Sequence, residues 1–370
     1  MSALIIGRFT PEQSEAIRMA LARAGMERRT ALDIASAKIE LARQLPRLVF
    51  VDAAMIDVEE LCRYVRGDAH LFGLMVVAIV PAPNDGSFKE AVAAGCDDVL
   101  PQGDLGGITR RAAALAHYDP TLRPPSDQGI AIVAHPEDHA RRALGRTLRL
   151  GGFDVRFAKH GDELAHMLDP KPDLFVAAES LPPAGALHGI ITLRSALRGE
   201  PVPSAIVASA REINELGEAD ELRRVAVIAD SAPKDHVLFV ANELLRPGVR
   251  NLRSSRRVLW DSMCAFRKAG QLHPVLGLSY NLSADGMYIR TLDPPARGSE
   301  LWFELRPPHS THAVHLRGQV VWVKPIGHGP GGLSPAGFGV HIDEHACPPA
   351  DLAHYQECYG LLVEAPRLVA

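Results

Sequence analysis

Short apolar runs alternate with amphipathic stretches from the start of the chain to about Arg246. Ala3–Gly7 (ALIIG) reads as a buried strand, and Thr10 then caps a helix with Pro11 at its first position and Gln13 three residues after the cap. RLVFVD, LMVVAIV and DDVL read as further strands, with helical stretches such as Ala35–Gln44 and Lys89–Ala94 between strands. Strands alternating with helices over short connections predict a parallel sheet covered on both faces. Tyr118–Gly129 (YDPTLRPPSDQG) breaks the pattern with prolines and polar residues and reads as a linker. The pattern then restarts with IAIVA, a helix over His139–Leu150, FDVRF, DLFVAA, SAIVAS, RVAVIA and a last helix through Leu245. Two βα units of nearly equal length predict an internal duplication of a five-stranded doubly wound (flavodoxin-like) fold. From about Val258 helical periodicity disappears. MCAFRK, GMYIRT, SELWFEL, AVHLRGQVVWV and GFGVHI read as strands of a compact antiparallel barrel or sandwich, and Pro348 and Pro349 open a terminal helix over Ala350–Leu362. The expected division is 1–118, 129–246 and 250–363.

Composition narrows this picture. At 370 residues the chain is long enough for two or three domains, and its cores need no metal or disulfide staple. A formal net charge of −4 with no long run of one sign argues against general nucleic-acid binding. The five cysteines, Cys62, Cys96, Cys264, Cys347 and Cys358, form no C-x-x-C pair, which fits a reducing, cytoplasmic setting and no zinc site. No signal peptide is read at the start, and no stretch approaches the about 18 apolar residues of a membrane span.

Both α/β units resemble response-regulator receiver domains. In the first, RLVFVDAAMID is similar to the strand that ends in the phosphoaccepting aspartate, which makes Asp52 the phosphoacceptor position. Phosphoryl transfer to a carboxylate also needs a hard cation held by oxygen ligands and a cation to balance the phosphoryl charge. Here Gly7-Arg8-Phe9 stands where the acidic pair belongs and Pro101-Gln102 where the lysine belongs, so Asp52 is expected to be inactive, with Arg8 pairing with it in the metal's place. The second unit has Ala134-His135 in place of the acidic pair, Ala178 in place of the phosphoacceptor, Glu179 one residue late and Ser209 at the hydroxyl position. The resemblance implies pseudo-receivers that keep a surface for protein partners. Receiver-like units also pair through their outer helices, so a homodimer is an open expectation.

The third segment carries the candidate chemistry. Arg253 and Arg257 are four apart with Arg256 between them, and Asn281, Ser283 and Gly286 follow one strand later in NLSADGMYIR. Together with LRGQVVWV and AGFGVHI, these motifs resemble the PilZ domain, a receptor for cyclic di-GMP. The departures are RSSRR, without a doubled arginine at its start, and a longer glycine-rich loop, HGPGGLSP. The chemistry is consistent with that ligand. Guanidinium grips phosphate bidentately, matches guanine O6 and N7, and stacks on a purine. Asn281 offers a donor and an acceptor to a guanine edge, Ser283 a hydroxyl, and Gly286 either a positive φ or room for close ligand approach. The bland alternative is an Asx-type turn beside a solvated basic linker.

His309, His312 and His315 are three apart, so they alternate faces on a strand and do not converge on a metal. Trp260, Trp302 and Trp322 read as core or barrel-surface aromatics, and GHGPGGLSPAG lacks the Lys and Ser/Thr ending of a phosphate loop. The chain therefore reads as a non-catalytic signalling receptor that binds cyclic di-GMP and needs no metal, with motility or polarity control implied by the resemblance. The runner-up is an interaction scaffold whose PilZ-like domain binds no nucleotide.

Overall fold

The computed structural model describes residues 1–71, 73–122, 125–216, 224–246, 255–326 and 333–364. The first α/β sheet is built from β1 (Ser2–Ile6), β2 (Glu27–Ala31), β3 (Leu48–Asp52), β4 (Met75–Val80) and β5 (Asp98–Pro101). Its helices are α1 (Pro11–Arg23), α2 (Ile34–Arg43), α3 (Val58–Gly67), α4 (Asp85–Ala93) and α5 (Leu105–Ala114). All strands are parallel in the order β2-β1-β3-β4-β5, the doubly wound order of the receiver fold. β1, β3 and β4 are buried at every position, as a sheet covered on both faces requires. Thr10 caps α1 through the expected capping box with Gln13. β2 (ERRTA) was not legible as a strand: it lies at the sheet edge, and its half-exposed face takes charged residues.

The second α/β sheet repeats the plan with β6 (Ile130–Ala134), β7 (Asp154–Ala158), β8 (Leu174–Ala178), β9 (Ser204–Ala208) and β10 (Val225–Ala229). The strand order is β10-β9-β8-β6-β7, the same winding read from the other edge. Its α-helices are α6 (Asp138–Leu150), α7 (Gly185–Ala196), α8 (Ala210–Leu216) and α9 (His236–Leu245), and a 3-10 turn over Gly161–Met167 stands where the first domain has α2.

The third sheet comprises β11 (Val258–Leu259), β12 (Met263–Lys268), β13 (Val275–Ser283), β14 (Gly286–Arg290), β15 (Glu300–Leu305), β16 (Val314–Lys324) and β17 (Gly337–Ile342), followed by α10 (Pro349–Glu364). Every pairing is antiparallel, and the β13–β14 ladder closes the sheet into a six-stranded barrel with β11 added on β13. Inward residues such as Phe266, Leu282, Phe303, Leu316 and Phe338 fill it, and α10 contributes Tyr355 and Tyr359 to the same core.

Three sheets do not make three separate bodies. Met1–Leu122 falls in one compact unit with Ser254–Gly329 and Ala336–Pro366, and Arg123–Arg253 belongs to a second. Inside the first unit, α4, β5 and α5 pack on the outside of the barrel. Leu278 joins the core of the first α/β sheet on one side and Leu292 joins it on the other. Asp98, 4% exposed, accepts from Arg111 Nε (2.8 Å), the Leu292 amide (2.8 Å) and the Thr291 hydroxyl (3.2 Å). Arg110 pairs with Asp293 at 2.5 Å, and Asp85 accepts from the Ser262 hydroxyl and the Met263 amide.

Candidate functional site

Asn281 and Ser283 are not in a turn that opens a strand; they lie at the end of β13. Leu278 packs toward the α/β domain while Leu282 packs into the barrel, although both are even-numbered. The side switches at a register shift between Ser279 and Asn281. A bulge of this kind re-aims side chains. With Leu282 turned inward, Asn281 and Ser283 lie on the other side of β13 by strand alternation, where Asn281 is buried (7% exposed) and Ser283 half-buried. Asn281 lies opposite Tyr288 of β14, whose ring meets Tyr280 at 5.9 Å and Trp322 at 5.2 Å. An aromatic row thus stands beside the Asn281 position. Trp322 is the tryptophan of the Gly-x-Val-Val-Trp stretch, a barrel-surface ring as one of the two sequence alternatives has it.

The arginine segment meets this edge directly. β11 pairs Val258 with Leu282 and Leu259 with Asn281. Arg257 is therefore one residue ahead of the ladder, alongside Ser283, and both Arg256 and Arg257 are exposed. Arg253 lies outside the described residues. Two α10 tyrosines hold this edge in place. Tyr355 donates to the carbonyls of Ser283 (2.8 Å) and Gly286 (3.1 Å), and Tyr359 donates to the Arg256 carbonyl at 2.5 Å. Burial pushes both phenols above their ordinary range.

Gly286 is required for a reason other than the one expected. Its φ is not positive; instead a Cβ there would stand 2.4 Å from the Val340 carbonyl oxygen, so the glycine lets β14 and β17 approach. Ser283 is already engaged, donating to Asp285 at 2.9 Å and lying 3.2 Å from the Gly286 carbonyl. Ser255, at the foot of the arginine segment, donates to the same Asp285 oxygen at 3.0 Å and accepts from the Ala284 amide at 3.2 Å. A cleft of about 770 Å³, within the range of small-molecule sites, opens at the hairpin tip. Ser255, Ala284, Asp285, Arg317 and His341 line it, whereas Asn281 and Ser283 do not. Asp285, Ser255 and the α10 tyrosines were missed in the sequence. The Asp-Gly pair is a hairpin signal that could have drawn attention to Asp285.

The receiver positions lack the charges of phosphoryl transfer. Asp52 is buried at the end of β3 and accepts from the Ala54 amide at 3.1 Å. The Arg8–Asp52 pair does not form: Arg8 is exposed, and the field it exerts falls on Asp33. At Gly7, with φ +137°, a Cβ would lie 2.5 Å from that of Asp52, which leaves no space for an acidic side chain there. In the second sheet, burial and then the Lys234 ammonium push the His135 imidazole down to about 4. Lys234 donates to the Asp230 carbonyl at 2.6 Å. Burial raises Glu179, and Ser209 serves as a cap, accepting from the Glu212 amide at 3.3 Å. His309, His312 and His315 are exposed, and no cluster of metal-ligating side chains occurs among the described residues.

Comparison with known proteins adds the following. The family described as PilZ domain matches residues 251–352. No curated protein matches the chain. Among solved structures, a response regulator in red light signaling of R. palustris is 16% identical, with 32% of this chain and 94% of that one covered at a TM-score of 0.28. A putative response regulator from Chloroflexus aurantiacus is 21% identical over 31% of this chain and 96% of that one, at a TM-score of 0.29. The Bacillus subtilis inhibitor of motility is 18% identical over 31% of this chain and 52% of that one, at a TM-score of 0.25.

Proposed function

We propose, for a chain whose residues 251–352 form a PilZ domain behind two receiver-like sheets, that it is a non-catalytic receptor for cyclic di-GMP. The domain content is that of a signalling protein; the ligand is our reading. One observation carries it: the β11–β13 ladder sets Arg257 alongside Ser283, on the strand that carries Asn281. Arg253 and Arg257 clamp the phosphates or guanines with help from Arg256, and Asn281, Ser283 and the backbone at Gly286 form the barrel side. Asp52 is a structural carboxylate in this reading, and acetyl phosphate leaves the mass of the protein unchanged. The pseudo-receivers contact protein partners, and the regulated behaviour is motility or polarity.

Calorimetric titration with cyclic di-GMP tests the ligand. Wild type binds, and Arg257→Ala loses about 1.5–3 kcal/mol, roughly 10- to 150-fold, as expected for hydrogen bonds to a charged group. Ligand binding also reorders the linker from about Arg246 to Arg257 and resets domain orientation. Superimposable scattering profiles with and without saturating ligand would sink that part. A second reading has its own support, since the Ser283 hydroxyl is already satisfied at the end of its own strand. A wild-type protein that ignores the ligand is then an interaction scaffold.

A further inference from the structure

We infer that Asp285 is an internal stand-in for a ligand phosphate and sets the affinity of the site. The inference rests on the cyclic di-GMP reading. A serine hydroxyl has one proton to donate. Ser283 spends it on Asp285 Oδ1 at 2.9 Å, and Ser255 spends its own on the same oxygen at 3.0 Å. One anionic oxygen therefore collects both hydroxyls, one from the motif turn and one from the foot of the arginine segment. That is the service a phosphate oxygen performs when it bridges two chain segments. Asp285 also lines the cleft at the hairpin tip, so its charge faces the space a ligand would enter.

Two consequences follow from the chemistry. Before a phosphate can accept from Ser283 or Ser255, that hydroxyl must leave the carboxylate. A carboxylate left beside a dianionic ligand then repels it, because like charges at close range oppose binding. Asp285 thus holds the arginine segment against β13 in the unliganded chain, through Ser255, and competes with the ligand for the same donors. Tyr359, which donates to the Arg256 carbonyl, keeps the segment close after the exchange.

The experiment is calorimetric titration of the full chain with cyclic di-GMP, in wild type, Asp285→Asn and Asp285→Ala. Circular dichroism establishes that each variant is folded. Asp285→Asn keeps the size and an acceptor but loses the charge; it binds about tenfold tighter than wild type. Asp285→Ala also binds tighter, with a faster-opening arginine segment. Variants that bind no tighter than a wild type that binds would overturn the inference and leave the ligand reading standing. Absence of binding in all three proteins overturns the ligand reading and this inference with it.

Discussion

His135 shows how a single buried residue ties the second α/β sheet to pH. Burial and the nearby Lys234 hold its imidazole at about 4, below its ordinary 6.5, so the unfolded chain binds the proton more readily than the folded one. Stability of the second α/β domain is therefore full above about pH 6.5 and falls as pH drops toward 4. Circular-dichroism melts at stepped pH should show this decline, and His135→Gln should flatten it; an unchanged profile in the variant would remove His135 as its source. Residue types at the strand ends were legible, because a missing carboxylate is visible in a sequence. Neither Lys234 nor Asp285 was legible. Lys234 acts on a residue that the fold brings near it, and so does Asp285 on Ser255; only the Asp-Gly hairpin signal marks Asp285 locally, and it says nothing of Ser255.

Elements were legible where apolar periodicity is unbroken. The central strands of both α/β sheets, the capping box of α1 and the helix after Pro349 all follow from local pattern. β13 was missed as a strand although Gly277–Ser283 alternates small or polar with apolar residues, because Asn281 and Ser283 were assigned to a turn; the bulge that changes which side is buried has no sequence signal. That bulge is also what puts Asn281 and Ser283 on the side opposite Leu282, so the irregularity that hides the strand sets the position of the candidate motif. α10 was legible as a helix but not as a brace. Tyr355→Phe removes a hydroxyl that two turn carbonyls share, and should cost about 1 kcal/mol of stability. Faster amide exchange across Ser283–Gly286 is the specific readout, and protection equal to wild type would show that the tyrosine is only core filling.

For the whole molecule, linear order did not disclose that the first sheet and the barrel share one compact unit. Contacts across such sequence distance leave no periodicity to read. The Asp98–Arg111 pair at their junction is almost wholly buried, with Arg111 0% exposed. Arg111→Ala leaves a buried carboxylate without its cation and should cost about 3–5 kcal/mol. All three tryptophans, Trp260, Trp302 and Trp322, lie in this unit, so urea unfolding followed by their fluorescence reports it directly. A midpoint unchanged from wild type would show that the junction contributes little. The same junction has a consequence for how the chain is made. Arg111 and its partner Thr291 are 180 residues apart. At ordinary translation rates the ribosome needs roughly ten to forty seconds to cover that distance. The second α/β sheet draws all its strands from within that stretch and can close meanwhile. Until the barrel emerges, the nascent first domain carries an apolar face around the Asp98–Arg111 pair that Leu278 and Leu292 have yet to cover.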